Sequence, residues 1–261
     1  GQKCVIFMPK GTTEIRLNNI LKEGAMATIE KYNYDECVRM AADAASKVEN
    51  GVVVQDTAWE GYEEIPAWIM QGYGTMAIEA DEQFGEKPTH VFVQAGVGSL
   101  AGAIVGYFSN KYKDNPPKMV VVEASAAACL YKGAVAGDGN IRIVDGDLNT
   151  IMAGLACGEP NITSWDILKN HVNCFISAED IVAARGMRML SAPLKGDAQV
   201  VSGESGAAPF GSLATIMLND EYLELRKKLD LNTNSKVLLF STEGDTDPQR
   251  WKNIVWEAKD R

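Results

Sequence analysis

The stretch PTHVFVQAGVGSLAGAIVGY, residues 88–107, constrains this chain more than any other. An apolar run, Val91 to Val93, feeds straight into Gly96-Val97-Gly98-Ser99, after which Leu100, Ala103, Ile104 and Tyr107 recur at helical spacing. That pattern predicts a strand, a glycine turn and a helix. The first N–H groups of such a helix have no intrahelical acceptor. Together with the positive end of the helix dipole they form an anion site, and glycines let a phosphate approach the backbone closely. The alternative is a tight strand-to-helix turn that holds no ligand.

The same alternation runs through the chain. CVIFMP reads as a strand, TTEIRLNNILKEG as a helix closed by Gly24, and AMATIE as a second strand. Asp35-Glu36 opens the helix ECVRMAADAASKVEN, and Gly51 leads into VVVQD, a third strand. A βαβαβ order requires a parallel sheet with crossover helices, so the chain is expected to be α/β. The segment TAWEGYEEIPAWIMQGYGT reads as turns, with a helix at MAIEADEQFG. KMVVVEA then predicts a strand and AAACLYKGAV a helix. SWDILKNHV, AEDIVAARGMRML and Gly211 to Lys228 read as helices, and KVLLFSTEGD as a buried strand. The aromatic-rich turn suggests a domain change there, with 1–58 and 59–261 as the two parts.

Composition narrows the ligand. With 46% apolar and 23% charged residues among 261, the chain is an ordinary globular one, and a net charge of −10 argues against nucleic acid or an anionic membrane as partner. No apolar run approaches the length of a membrane span, and GQKCVIFMP has no signal-peptide character, so a cytoplasmic location is expected. Five cysteines without a C-x-x-C indicate neither a disulfide framework nor a zinc site, and His90 and His171 are too isolated for a His-based metal site.

Gly96-x-Gly98-x-x-Ala101 also matches a dinucleotide fingerprint, with Glu123 ending the next strand where a ribose-binding acid would stand. A nicotinamide-dependent oxidoreductase is therefore one reading. Two other segments point away from it. SGESGAAPFG crowds glycines and Glu204 before a helix, and LLFSTEGDTD ends a strand in hydroxyls beginning with Ser241. A pyridine ring held by its phosphate at one helix and by a hydroxyl at its nitrogen would use both. Asp56, at the end of VVVQD beside Trp59 and Tyr62, is either a proton-transfer group with a raised pKa or a turn cap.

At QDTAWEGYEEIP, QGYGTMAIEADEQ, PTHVFVQAGVGSLAGA, TIMAGLACGEP, GMRML and SGESGA the sequence resembles the fold type II, tryptophan synthase β-like pyridoxal-phosphate enzymes, and among them the diaminopropionate ammonia-lyase family. The resemblance implies parallel sheets flanked by helices, pyridoxal 5'-phosphate as cofactor, and a homodimer. It implies α,β-elimination from either enantiomer of 2,3-diaminopropionate, through an aminoacrylate, to pyruvate and ammonia. It makes Gly96, Val97, Gly98 and Ser99 the phosphate cradle, Ser241 the partner of the pyridine nitrogen, and Glu204 a neighbour of that ring edge. Asp56 becomes one of two aspartates that take the Cα proton, here from the L isomer. In that family the Schiff-base lysine, an asparagine loop and the second aspartate precede the CVIFMP-like strand. The expectation is thus an N-terminally incomplete chain, a remnant of the small domain followed by most of the large one, inactive alone. A non-catalytic remnant binding pyridoxal phosphate or an amino acid is the alternative. Lys10, Lys195 and Lys236 are expected at the surface.

Overall fold

The structure, a computed structural model, describes residues 2–259. Strand β1 (Val5–Met8), helix α1 (Glu14–Lys22), strand β2 (Met26–Ile29) and helix α2 (Tyr34–Ser46) form the first unit, in which β1 and β2 pair in parallel from Val5↔Met26 to Met8↔Ile29. The turn after α1 carries Gly24, whose N–H bonds back to Leu21. Helix α2 begins at a capping box of Asn33 and Glu36, slightly earlier than the acidic pair suggests.

The third strand expected at VVVQD is not formed. Residues 51–55 have no regular structure, and Val52 and Val54 are 66% and 73% exposed. The Tyr62 hydroxyl supplies a physical reason, for it donates to the Val53 carbonyl (2.9 Å) and accepts the Gln55 N–H (3.1 Å), groups a ladder would use. The first sheet therefore has two strands.

Helix α3 (Glu64–Phe84) starts twelve residues before the Met76 expected from the sequence, inside the stretch read as turns. Pro66 lies in its first turn, where the missing N–H costs nothing. Then follow β3 (His90–Gln94), α4 (Ser99–Lys111), β4 (Lys118–Ala124), α5 (Cys129–Ala136), α6 (Ile162–His171), β5 (Cys174–Ala178), α7 (Asp180–Ser191), α8 (Glu204–Leu218), α9 (Leu223–Leu229), β6 (Val237–Leu239) and α10 (Pro248–Val255). The second sheet has the order β5-β4-β3-β6, every pair parallel. Strand β6 is half-buried, not buried, because among the described residues it pairs on one side only.

Both faces of this sheet are covered. Phe92, Val120 and Val122 face a cluster with Met187 and Ile216, whereas Val91, Val93 and Val121 face Ile104, Phe108 and Leu130. Burial on both sides explains why β3 and β4 read as unbroken apolar runs.

Helix α8 begins at Glu204, so the SGESGAAPFG stretch is helical and carries Pro209 within it. Small residues serve packing against α7 here. A Cβ built on Gly211 would lie 2.0 Å from the Val182 carbonyl oxygen, and one on Gly186 2.4 Å from that of Ala207. Backbone cannot yield as a flexible side chain can. Gly211→Ala should therefore destabilise the fold by about 2–3 kcal/mol, read as a lower urea midpoint at unchanged slope.

Candidate active site

Parallel pairing puts the carboxyl ends of β3, β4 and β6 on one edge, where α/β folds hold ligands. Beyond β3 the chain turns through Ala95 to Gly98 into α4. Gly98 is left-handed (φ 104°), and a Cβ there would stand 2.9 Å from Ser164 Oγ. Among the described residues, no protein acceptor meets the backbone N–H groups of Gly98, Ser99, Leu100 and Ala101. Buried N–H groups are rarely left so, and a run of them at a helix start is the donor set a phosphate requires.

The loop is tied to Asp56 through α6. Asn161, wholly buried, donates from Nδ2 to the Asp56 carbonyl (2.6 Å) and to Ser99 Oγ (2.9 Å), while its Oδ1 caps α6 by accepting the Ser164 N–H (2.9 Å). Ser99 Oγ donates to the same Asp56 carbonyl (2.7 Å), and Ser164 Oγ to the Gly98 carbonyl (2.6 Å). Asp56 and the GVGS turn are thereby one unit.

The Asp56 carboxyl is half-buried and accepts from the Tyr34 hydroxyl at 3.3 Å. Burial raises its pKa above the usual carboxylate range, against the lowering effect of its own backbone, Tyr34 and Ser99. Burial, then Cys157 and Asp56, push Tyr34 well above the phenol range. The expected neighbour Trp59 instead stacks on Tyr62, with ring centroids 4.4 Å apart. Asp56 ends the irregular 51–55 segment, not a strand. Asn161 and Tyr34 escaped the sequence reading, although Asn161-x-x-Ser164 is a recognisable helix-cap spacing.

On the other side, Ser241 is exposed and its Oγ donates to Ser202 Oγ at 2.8 Å. Gln94 reaches Thr242 Oγ1 (2.8 Å), linking the ends of β3 and β6. Gly154 connects the two halves: its N–H donates to Ser205 Oγ (3.1 Å), and its carbonyl lies 3.1 Å from where a Gly96 Cβ would be. Val97 is buried in the same turn. Glu204 is buried and faces Arg250 Nε at 2.8 Å and Arg16 at 3.8 Å. A cleft of about 1220 Å3, lined by Lys10, Thr12, Tyr34, Thr150, Asp180 and Arg250, opens beside the site and reaches Tyr34, though not the GVGS turn. Lys10 pairs with Asp147 and Lys236 with Glu86, while Lys195 is exposed.

Glu123 does not serve a ribose. It is 1% exposed, and its two oxygens accept the N–H groups of Leu130 (2.9 Å) and Tyr131 (2.6 Å) at the start of α5. Its carboxylate is a helix cap, which removes the acid that the dinucleotide reading needed.

The carboxyl edge of the parallel sheet thus joins a helix N-terminus with open N–H donors to a hydroxyl-bearing strand end, an arrangement in which α/β folds can hold phosphate-bearing ligands. The chain belongs to the pyridoxal-phosphate dependent enzyme family, whose sequence model matches residues 1–242. The fold is type II within that class. A curated relative, the diaminopropionate ammonia-lyase of Salmonella typhimurium LT2, is 52% identical over 264 residues, covering 99% of this chain and 65% of the relative. The crystal structure of selenomethionine-substituted holo diaminopropionate ammonia lyase from Escherichia coli superposes with a TM-score of 0.91 at 45% identity, over 100% of this chain and 65% of that one. The Escherichia coli enzyme in complex with an aminoacrylate-PLP azomethine reaction intermediate gives 0.90 at 45% identity, over 100% and 66%. The chain spans 65% of the curated relative's length.

Two outcomes follow from the buried polar groups. Asn161→Ala should lower stability by about 2–3 kcal/mol, since it strands the Ser164 N–H and frees both Asp56 and Ser99, and calorimetry reads this as a lower Tm. Burial pushes the Glu123 pKa up to about 8, outweighing its two N–H donors. The stability linked to that proton is fully present below the ordinary carboxylate range and lost as pH rises through about 8. Glu123→Gln should flatten that decline in denaturant titrations run from pH 5 to 9.

Proposed function

We propose that this chain belongs to an enzyme that eliminates ammonia from 2,3-diaminopropionate, giving pyruvate and a second ammonia with uptake of one water, and that it holds pyridoxal phosphate at the GVGS turn. One observation carries the reading. The four open N–H groups at α4 lie on a turn bonded through Ser99 to the residue bearing a raised-pKa carboxyl, in a chain 52% identical to a diaminopropionate ammonia-lyase.

When bound, pyridoxal phosphate supplies an electron sink beside the substrate's Cα. Gly96, Val97, Gly98 and Ser99 form the turn that would hold the phosphate, through the open N–H groups of Gly98 and Ser99 with those of Leu100 and Ala101. Ser241 would place its hydroxyl at the pyridine nitrogen, where a neutral group would leave the ring less fully protonated than a carboxylate, and Glu204 would border the same ring edge. The Asp56 carboxylate takes the Cα hydrogen as a proton, and the amino group on Cβ leaves with its bonding electrons. Tyr34 orients Asp56 by donating to Oδ1, leaving the other oxygen's lone pairs for the substrate. A pKa raised by burial makes that carboxylate a stronger base.

In this reading 1–58 is part of a small domain and 59–261 most of a large one, in keeping with the two separate sheets. A cytoplasmic homodimer is part of the same proposal. Free thiols at all five cysteines support a reducing compartment, and exposed Val52, Val54 and Trp68 offer apolar surface to a second copy.

In the full-length enzyme loaded with cofactor, Asp56→Asn should leave the visible absorption of the cofactor intact. Turnover of L-2,3-diaminopropionate should fall by about a hundred- to ten-thousand-fold, with a smaller loss for the D isomer. The acidic limb of kcat/KM for the L isomer, rising with pH as Asp56 ionises, should vanish in the same variant. Equal losses for both isomers would remove Asp56 from proton transfer.

A further inference from the structure

Four charged side chains gather between the first unit and the edge of the large sheet. Arg16, on α1, places Nη2 3.1 Å from Glu243, 3.4 Å from Thr246 Oγ1 and 3.8 Å from Glu204, whose other oxygen faces Arg250 at 2.8 Å. The Glu243 carboxylate also accepts the Ser205 N–H (3.2 Å), and its carbonyl accepts the Gly203 N–H (2.7 Å). It thereby grips the turn that leads into α8. That turn carries Ser202, the hydroxyl partner of Ser241, and Ser241 itself is two residues from Glu243 along the chain. Each link from Arg16 to the exposed Ser241 hydroxyl is a hydrogen bond or one short chain segment.

We propose that Arg16 is a positioning residue: by holding Glu243 it fixes the Ser202–Ser205 turn and the 241–246 loop, and so sets the Ser241 hydroxyl against the ring nitrogen of the cofactor. This rests on the function proposed above. The physical need for the arginine is visible in the charges. Glu243 is half-buried beside the buried carboxylate of Glu204, and both partial burial and Glu204 raise its pKa while Arg16 lowers it. Arg250 remains on Glu204 if Arg16 is lost, whereas among the described residues Arg16 is the cation paired with Glu243, and a half-buried carboxylate next to a second carboxylate is unfavourable without one. It must then take up a proton or swing toward solvent, and either change slackens the bond to Ser205. Ser202 donates to the Gly203 carbonyl (3.2 Å) and accepts from Ser241, so a shift of the turn moves the group that orients the Ser241 hydroxyl. The same arginine makes the ring edge sensitive to where α1 sits, because α1 belongs to the β1–β2 unit and the loop to the four-stranded sheet.

The test compares wild type with Arg16→Met, Arg16→Lys and Glu243→Gln, using two probes: pyridoxal phosphate labelled with 15N in the ring, and inorganic phosphate. Arg16→Met should weaken pyridoxal phosphate binding about tenfold and move the ring-nitrogen resonance toward its value in free cofactor, with Arg16→Lys intermediate. Glu243→Gln, which preserves shape, should move the resonance in the same direction. Affinity for inorganic phosphate should stay within about twofold, because the GVGS donors do not depend on the clamp. An unmoved resonance in Arg16→Met and Glu243→Gln, or an equal loss of phosphate affinity, would overturn the positioning role. If wild type shows no ring-nitrogen signal from bound cofactor, the functional reading fails and the inference with it. Binding in wild type with an insensitive resonance removes the inference alone.

Discussion

The site depends on the parallel pairing of β3 with both its neighbours. That arrangement sends every strand's carboxyl end to one edge, so the turn after β3 and the loop after β6 must meet there. The apolar residues of β3 leave no choice of register, because Val91, Phe92 and Val93 are fully buried between the two helix layers. Slipping the strand by one residue would exchange the two faces and expel side chains that both cores already accommodate. The position of Gly98 is thus set by packing several residues away from it.

A fixed edge permits polar atoms to be buried without being orphaned. Asn161 satisfies three partners at once, and Glu123 holds two N–H groups of α5 from the neighbouring strand. Both act on helix starts, as do the open donors of α4. The contrast is informative: α5 and α6 have N–H groups of their first turns occupied by protein side chains, and α4 does not. Open donors behind a left-handed glycine at the carboxyl edge of the sheet support the proposal that an external anion binds at α4.

Segments with both periodicity and punctuation were legible in the sequence. The β3–α4 unit was, because an unbroken apolar run and a glycine turn leave few alternatives, and the same holds for β4. VVVQD looked no less like a strand, yet strand formation needs a partner edge, and Tyr62 took its backbone groups instead. The five-residue β5, CFISA, passed unnoticed because cysteine and serine interrupt its apolar pattern. Glycine and proline disguised α3 and α8: in α8 those small residues serve a close helix crossing that only tertiary contact reveals. The candidate site divides in the same way. Gly96 to Ser99, Asp56 and Ser241 stand at ends of recognisable segments, whereas Tyr34, Asn161 and Arg16 reach it from 22 to more than 200 residues away in sequence.

Distance in sequence also bears on how an acidic protein can hold an anion. A net charge of −10 would repel a phosphate if the molecule acted as a uniform sphere, but at physiological salt exposed charges fade over about 8 Å. What an anion would meet at α4 is backbone dipole, and three carboxyl groups near that edge are engaged. Glu204 and Glu243 face arginines, and Glu123 faces two N–H groups. Lys10 and Lys236 are engaged with surface acids, so positive charge at the phosphate turn comes from the peptide groups themselves. Peptide dipoles cannot be neutralised by deprotonation and do not reorganise when the ligand arrives. Peptide groups at one helix start could thus receive an anion in a chain of net negative charge.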